Sequence, residues 1–258
     1  MSTPPSSAEA SIAIGPFAYP DTASTRAGIE AVSDRLKGGT VAILGCGGTG
    51  SYILDLIAKT PVDAIVLIDG DTMQPHNAFR SPGAASFDEV TADISKVTYF
   101  ASIYSRMHTG ITTYATHLTP DNLNLIDGID FVFLCVDSIE ARAFLVPALE
   151  ERGIPFIDCG LGLSIVDDKL MGLVRVTTST PMMREHVHSK GRIPTVAGDM
   201  AIYRSNVQIA DMNALAAALA VMRWKRLRGF YLDLEREYHA TYAVDGNHML
   251  NEDHLDGR

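Results

Sequence analysis

The chain has 258 residues, of which 47% are hydrophobic and 20% charged, and its formal net charge is −10. That describes a folded globular protein long enough for one large α/β domain, and its acidity argues against nonspecific binding to nucleic acid or membrane surfaces. No apolar run reaches the ~18 residues needed to span a bilayer, and the small polar start Met1–Ala10 lacks the regions of a signal peptide, so a cytoplasmic protein is expected.

Residues 1–20 hold four of the twelve prolines and read as a flexible N-terminal arm, with residues 21–258 forming a single domain. Residues 21–37 have Ile29, Val32 and Leu36 spaced for one apolar helical face. The first strand is expected at 40–45, a helix at 49–60 ending before Pro61, and a second strand at 64–69. Residues 70–87, with Pro75, Pro82 and Gly83, read as loop, 88–108 as a helix carrying Lys96, and 111–116 as a short strand. Phe131–Val136 is continuously apolar, as in a strand buried on both faces of a parallel sheet. Ser138 can cap the next helix, which presents Ala141, Phe144, Leu145, Ala148 and Leu149 on one face. A fifth strand is expected at 154–159 and another at 170–176. Then come a polar loop at 177–198, a long helix at 200–227, and a final strand at 238–244 with a loose tail. Strand–helix alternation at this rhythm predicts a doubly wound, mostly parallel α/β sheet with helices on both faces.

The chemistry-bearing stretch is Val41 to Arg80. Apolar β-formers run into Gly45-Cys46-Gly47-Gly48-Thr49-Gly50, whose glycines allow a tight turn and let a nucleotide approach main-chain N–H groups at a helix N-terminus. Asp69, nineteen residues after Gly50, suits ribose hydroxyls, as it would in a dehydrogenase. Asn77, Arg80, Lys96 and Asp137 decide against that competitor. They follow strand ends or sit on the next helix, where two cations and an amide suit a triphosphate and a carboxylate suits Mg²⁺.

Gly45–Gly50, Asp69-Gly70-Asp71, Asn77-Ala78-Phe79-Arg80, Lys96 and Cys135-Val136-Asp137-Ser138 together resemble the ThiF/MoeB/HesA family, the adenylating core of ubiquitin-activating enzymes. The resemblance covers about residues 22–177, and the helix 200–227 more loosely. It implies a Rossmann-like fold and ATP-dependent activation of the C-terminal carboxylate of a ubiquitin-like or sulfur-carrier protein ending in Gly. It further implies Gly45, Gly47, Gly48, Gly50, Asp69, Asp71 and Asn77 as nucleotide-binding residues, Arg80 and Lys96 as phosphate-binding and catalytic cations, and Asp137 as the Mg²⁺ ligand. A homodimer is implied as well, with Arg26 reaching the partner's nucleotide and Arg35 as runner-up, and a downstream conjugating enzyme if the pathway is protein conjugation.

The chain departs from the family's pattern in its cysteines. Many members carry an acyl-accepting cysteine in the loop that corresponds to 177–198, where this chain has none. Cys46 and Cys159 are expected to be buried packing residues, and paired zinc cysteines are missing. Two readings follow. Either the adenylate passes to a separate nucleophile, or Ser179, Thr180, Ser189 or Thr195 accepts the acyl group with His186 or His188 as base. A tRNA-modifying cyclase of the same fold and a nucleotide-binding scaffold are the alternative functions.

Overall fold

The structure, a computed structural model, describes residues 15–196 and 208–255. Among these, eight strands form one sheet in the order β3-β2-β1-β4-β5-β6-β7-β8. The strands are β1 (Thr40–Leu44), β2 (Ala64–Ile68), β3 (Ile111–Tyr114), β4 (Phe131–Leu134), β5 (Phe156–Val166), β6 (Lys169–Ser179), β7 (Glu237–Ala243) and β8 (His248–His254). β3, β2, β1, β4 and β5 pair in parallel, and β6, β7 and β8 continue antiparallel. The expected doubly wound, Rossmann-like α/β class is the one observed, with an antiparallel extension on one side.

The strand period of two sorts apolar side chains into two core layers. Val41 and Ile43 of β1 and Phe131 and Phe133 of β4 face one layer. Ala42, Leu44, Val132 and Leu134 face the other. The first layer is closed by α3 (Gly48–Ile57), α6 (Lys96–Tyr104) and α9 (Ala210–Leu227), the second by α7 (Ile139–Glu151). Trp224 of α9 seats edge-on against Phe131 and Phe133, with ring centroids 6.5 and 6.4 Å away. Each such fully buried apolar side chain contributes about 1.5–3 kcal/mol.

Several expected elements are divided or extended. The helix expected over 21–37 breaks into α1 (Thr22–Ala27), α2 (Glu30–Ser33) and a 3-10 turn at Asp34–Leu36, because Gly28 takes φ +66° and closes α1 as a left-handed cap. Leu36 is buried but Ile29 is 38% exposed, so the expected apolar face does not hold. The loop at 70–87 contains the one-turn α4 (Pro75–Ala78), and the helix expected at 88–108 divides into α5 (Phe87–Thr91) and α6. Asp93 takes φ +53° between them, and the Ser95 side chain caps α6 by accepting from Thr98 N–H. β5 and β6 run past Gly160 as a long hairpin, so strand covers the start of the expected 177–198 loop, which also holds α8 (Glu185–Ser189). The expected loose tail forms β8 instead. It is tied down by Arg192 on Glu252 and by Lys190 and Arg192 on Asp253. Part of the expected flexible arm is pinned as well, since Thr109 N–H donates to the Pro16 carbonyl and Phe17 bridges to His108. The first part of the expected helix 200–227 lies outside the described residues.

Candidate functional site

In a doubly wound sheet, ligands bind outside the carboxyl ends of strands where the strand order reverses. Here that point lies between β1 and β4. Gly45 ends β1 at φ +90°, and a Cβ on it would stand 2.7 Å from the Cys135 carbonyl oxygen at the end of β4. Its N–H donates to Ile68 at the end of β2 (2.9 Å). The next residues enter α3, whose N-terminal residue Gly47 caps it with no side chain, leaving N–H groups and the helix dipole facing outward. Gly47 also has open space where a Cβ would be. Such an end is built for an anion.

Around this turn lies a cleft of about 510 Å³, within the size range of small-ligand sites. Its wall includes Gly45, Gly47, Gly48, Asp69, Asp71, Arg80, Lys96 and Asp137, eight of the residues singled out in the sequence. Both Asp69 oxygens brace the turn, accepting from Cys46 N–H (2.6 Å) and Asp71 N–H (2.8 Å). Lys96 starts α6 and is nearly buried, with Nζ 2.6 Å from Asp71 Oδ2. Hydrogen bonding from Lys96 is the main reason the Asp71 carboxyl titrates below its ordinary range. Burial, and then the charges of Arg80 and Lys96, keep His76 neutral to lower pH than usual. Arg80 Nε is buried without a partner among the described residues. An unpartnered buried guanidinium donor fits a polyanion in the cleft.

Three of the expected site residues lie elsewhere. Asn77 is buried beside the cleft but not in its wall, because its Oδ1 accepts from Gln74 N–H (2.9 Å) to cap α4; its Nδ2 has no partner among the described residues. Gly50 is a packing glycine, since a Cβ there would stand 1.9 Å from the Gly45 carbonyl oxygen. Arg26 is exposed at the end of α1 and does not line the cleft of its own chain. Arg35, though exposed, donates to the Gly229 carbonyl and ties the N-terminal segment to the end of α9. Of the hydroxyls considered as acyl acceptors, Ser179 pairs with Phe156, the first residue of β5, and so lies at the sheet edge opposite the cleft. There it donates to Glu150 (3.0 Å), which also holds His188 (2.7 Å).

The cleft also has residues that the motifs did not single out. Thr116, His117 and Leu118 follow β3 on the same carboxyl edge, Glu140 follows β4, and Gln208 precedes α9. Position after a strand was the available signal for the first two groups. Beneath Asp137 sits a buried ion cluster. Asp158, fully buried, receives Arg142 Nε (2.8 Å) and Arg175 Nη2 (2.6 Å). Burial alone would raise its pKa, but the two guanidinium groups override that and hold it low. Arg142 also donates to the main-chain oxygen of Asp137 (3.4 Å). The three cysteines are buried or half-buried, and Cys135 shares a hydrogen bond with Cys159, which with burial keeps the Cys135 thiol protonated.

Comparison with known proteins gives the same fold and a family. Over 163 residues the chain is 26% identical to ubiquitin-like modifier-activating enzyme 5 of Drosophila persimilis, a match that covers 59% of this chain and 42% of the relative. The chain thus spans less than half the length of that relative. In structure it resembles Escherichia coli MccB, crystallised with MccA, with a TM-score of 0.64 at 18% identity over 87% of this chain and 66% of the other. It also resembles the E. coli tRNA N6-threonylcarbamoyladenosine dehydratase TcdA in complex with AMP, with a TM-score of 0.60 at 20% identity, covering 81% of this chain and 93% of that one. The ThiF family matches residues 22–221, a stretch that takes in β1 to β6 and most of α9, and the chain belongs to that family.

Proposed function

We propose that this protein activates the C-terminal carboxylate of a small protein or peptide as an acyl-adenylate, using ATP. One observation carries the reading: Arg80, Lys96 and Asp137 line a single cleft with the glycine turn. The names of the relatives, among them the modifier-activating enzyme, support the substrate class. A carboxylate oxygen attacks the α-phosphorus of ATP, the new P–O bond forms, and the bond to pyrophosphate breaks. The N–H groups at the start of α3 hold the phosphates. Asp69 turns lone pairs not used by the turn toward the ribose hydroxyls. Lys96 exchanges its Asp71 partner for a phosphate oxygen, and Arg80 counters the charge that builds as pyrophosphate leaves. Asp137 would hold Mg²⁺, which shields phosphate charge when bound. Arg26 lies outside its own cleft, as a residue serving a second copy in a homodimer would.

The acyl group then passes to a nucleophile from outside this chain. Cys46 is 1% exposed and Cys159 6%, and burial raises the Cys46 thiol well above its usual range. A protonated, enclosed thiol is a poor nucleophile. Ser179 is buried at the far edge of the sheet.

Pyrophosphate exchange into ATP, run with candidate carriers, tests the reading. Exchange stimulated by a small Gly-ending protein or peptide is expected; exchange stimulated by tRNA instead, or ATP binding with no exchange, would overturn it. Arg80→Ala or Asp137→Ala should lower exchange by about 10²–10³-fold in a protein that still melts cooperatively.

A further inference from the structure

We propose that Asn213 is a positioning residue that sets Arg80 against the N-terminus of α3. It rests on the functional reading above, in which Arg80 meets the phosphates. Asn213 lies in the first turn of α9 and is fully buried. Its Oδ1 accepts from Thr49 Oγ1 (3.0 Å), and its Nδ2 donates to the Arg80 carbonyl (3.3 Å). An amide offers an acceptor and a donor on one rigid plane, so a single side chain can tie the glycine-turn helix to the loop that carries Arg80. Aspartate could make only the first of these bonds, and leucine neither.

Gly48 is the counterpart of this amide. A Cβ at that position would stand 2.1 Å from Asn213 Nδ2, so the glycine leaves the space the amide fills. α9 packs along α3, which makes the tie one end of a broad helix–helix contact rather than an isolated bond. Arg80 is where this matters most. Its Nε has no partner among the described residues, so the course of its side chain toward the cleft is set by where its main chain is held. A misplacement of about 1 Å at a reacting group can cost up to ~10²-fold in rate, so a tie of this kind has leverage beyond its own strength.

A double-mutant cycle distinguishes positioning from plain structural support. ATP dissociation constants are measured by calorimetry for the full chain, Asn213→Ala, Arg80→Ala and the double variant. If Asn213 acts through Arg80, Asn213→Ala should weaken ATP by about 10-fold alone but by less than ~2-fold in the Arg80→Ala background. An equal loss in both backgrounds, or no loss in the first, overturns the proposal. Should the alanine variant not fold, Asn213→Asp serves. It keeps the volume and the Thr49 bond but as a carboxylate cannot donate to Arg80. Its ATP affinity relative to wild type should recover as acid restores a proton to that carboxyl, and a flat ratio overturns the proposal. A wild-type chain that fails to bind ATP sinks the functional reading and this inference with it, whereas an additive cycle sinks the inference alone.

Discussion

A Cβ added at Gly47 would meet nothing within 4 Å, while one added at Gly50 would collide with the Gly45 carbonyl oxygen at 1.9 Å. The same residue type thus does two jobs within one turn: open space at the cleft wall at 47, and close packing of helix on turn at 50. Gly47→Ala should fold with a melting temperature near wild type yet bind ATP at least ~10-fold more weakly, because the methyl stands where phosphate must approach. Gly50→Ala should cost about 1–3 kcal/mol or more through overpacking, read as a lower urea midpoint. A Gly47→Ala variant that binds ATP normally would remove the turn from the nucleotide site. At this scale the sequence was informative about which residues meet, because residues after strand ends share one edge whatever the loops do. It was uninformative about Asn77, whose amide oxygen is spent on a cap, and about Asn213, which is brought in from 164 residues beyond Thr49.

Elements were harder to read than motifs, since local backbone events override apolar spacing. The stretch 88–108 carries helical periodicity, yet Asp93 at φ +53° ends one helix and Ser95 starts another. That break puts Lys96 at the first position of α6, where its main-chain N–H donates to the Asp71 carbonyl (2.9 Å) and its side chain to the Asp71 carboxylate. The cap therefore sets where Lys96 enters the cleft wall. Ser95→Ala should remove about 1 kcal/mol of stability, visible as a fall of a few degrees in melting temperature. An unchanged melting temperature would mean the Asp71 contacts alone fix the start of α6. Gly28 acts likewise in 21–37, where three apolar positions fit one helix but a left-handed residue divides it. β6 and β8 were missed in extent for another reason. Their polar residues, read as loop, are paired or bonded in the sheet, as Thr177 is with His239 and Glu252 with Arg192.

At the scale of the whole fold, the described residues form one sheet whose parallel strands carry the candidate cleft and whose antiparallel strands extend it on one side. Histidines buried in or against this sheet make it acid-sensitive. Burial pushes His239 down to about 4 and also lowers His108 and His186 from their ordinary value near 6.5. The unfolded chain therefore takes up protons first, so the stability these groups confer is complete above about pH 6.5 and is lost as pH falls toward 4. Asp71 and Asp158, held low by their cationic partners, add a second loss only below about pH 4. The melting temperature should decline between pH 7 and 4.5, and His239→Gln should flatten part of that slope; an unaltered slope would assign the sensitivity elsewhere. The fold class was legible because strand order follows from β-α alternation, whereas these buried polar links join residues too distant in the chain for any local pattern to reveal. Arg142 and Arg175 share the one carboxylate of Asp158, so the cluster under Asp137 carries a surplus of positive charge in a chain whose sum is −10. Mobile counter-ions cannot enter to neutralise it. Seen from the cleft, that surplus offsets part of the negative charge of Asp69, Asp71, Asp137 and Glu140 in its wall, and because the cluster is buried the offset persists at ionic strengths that would quench a solvent-facing patch.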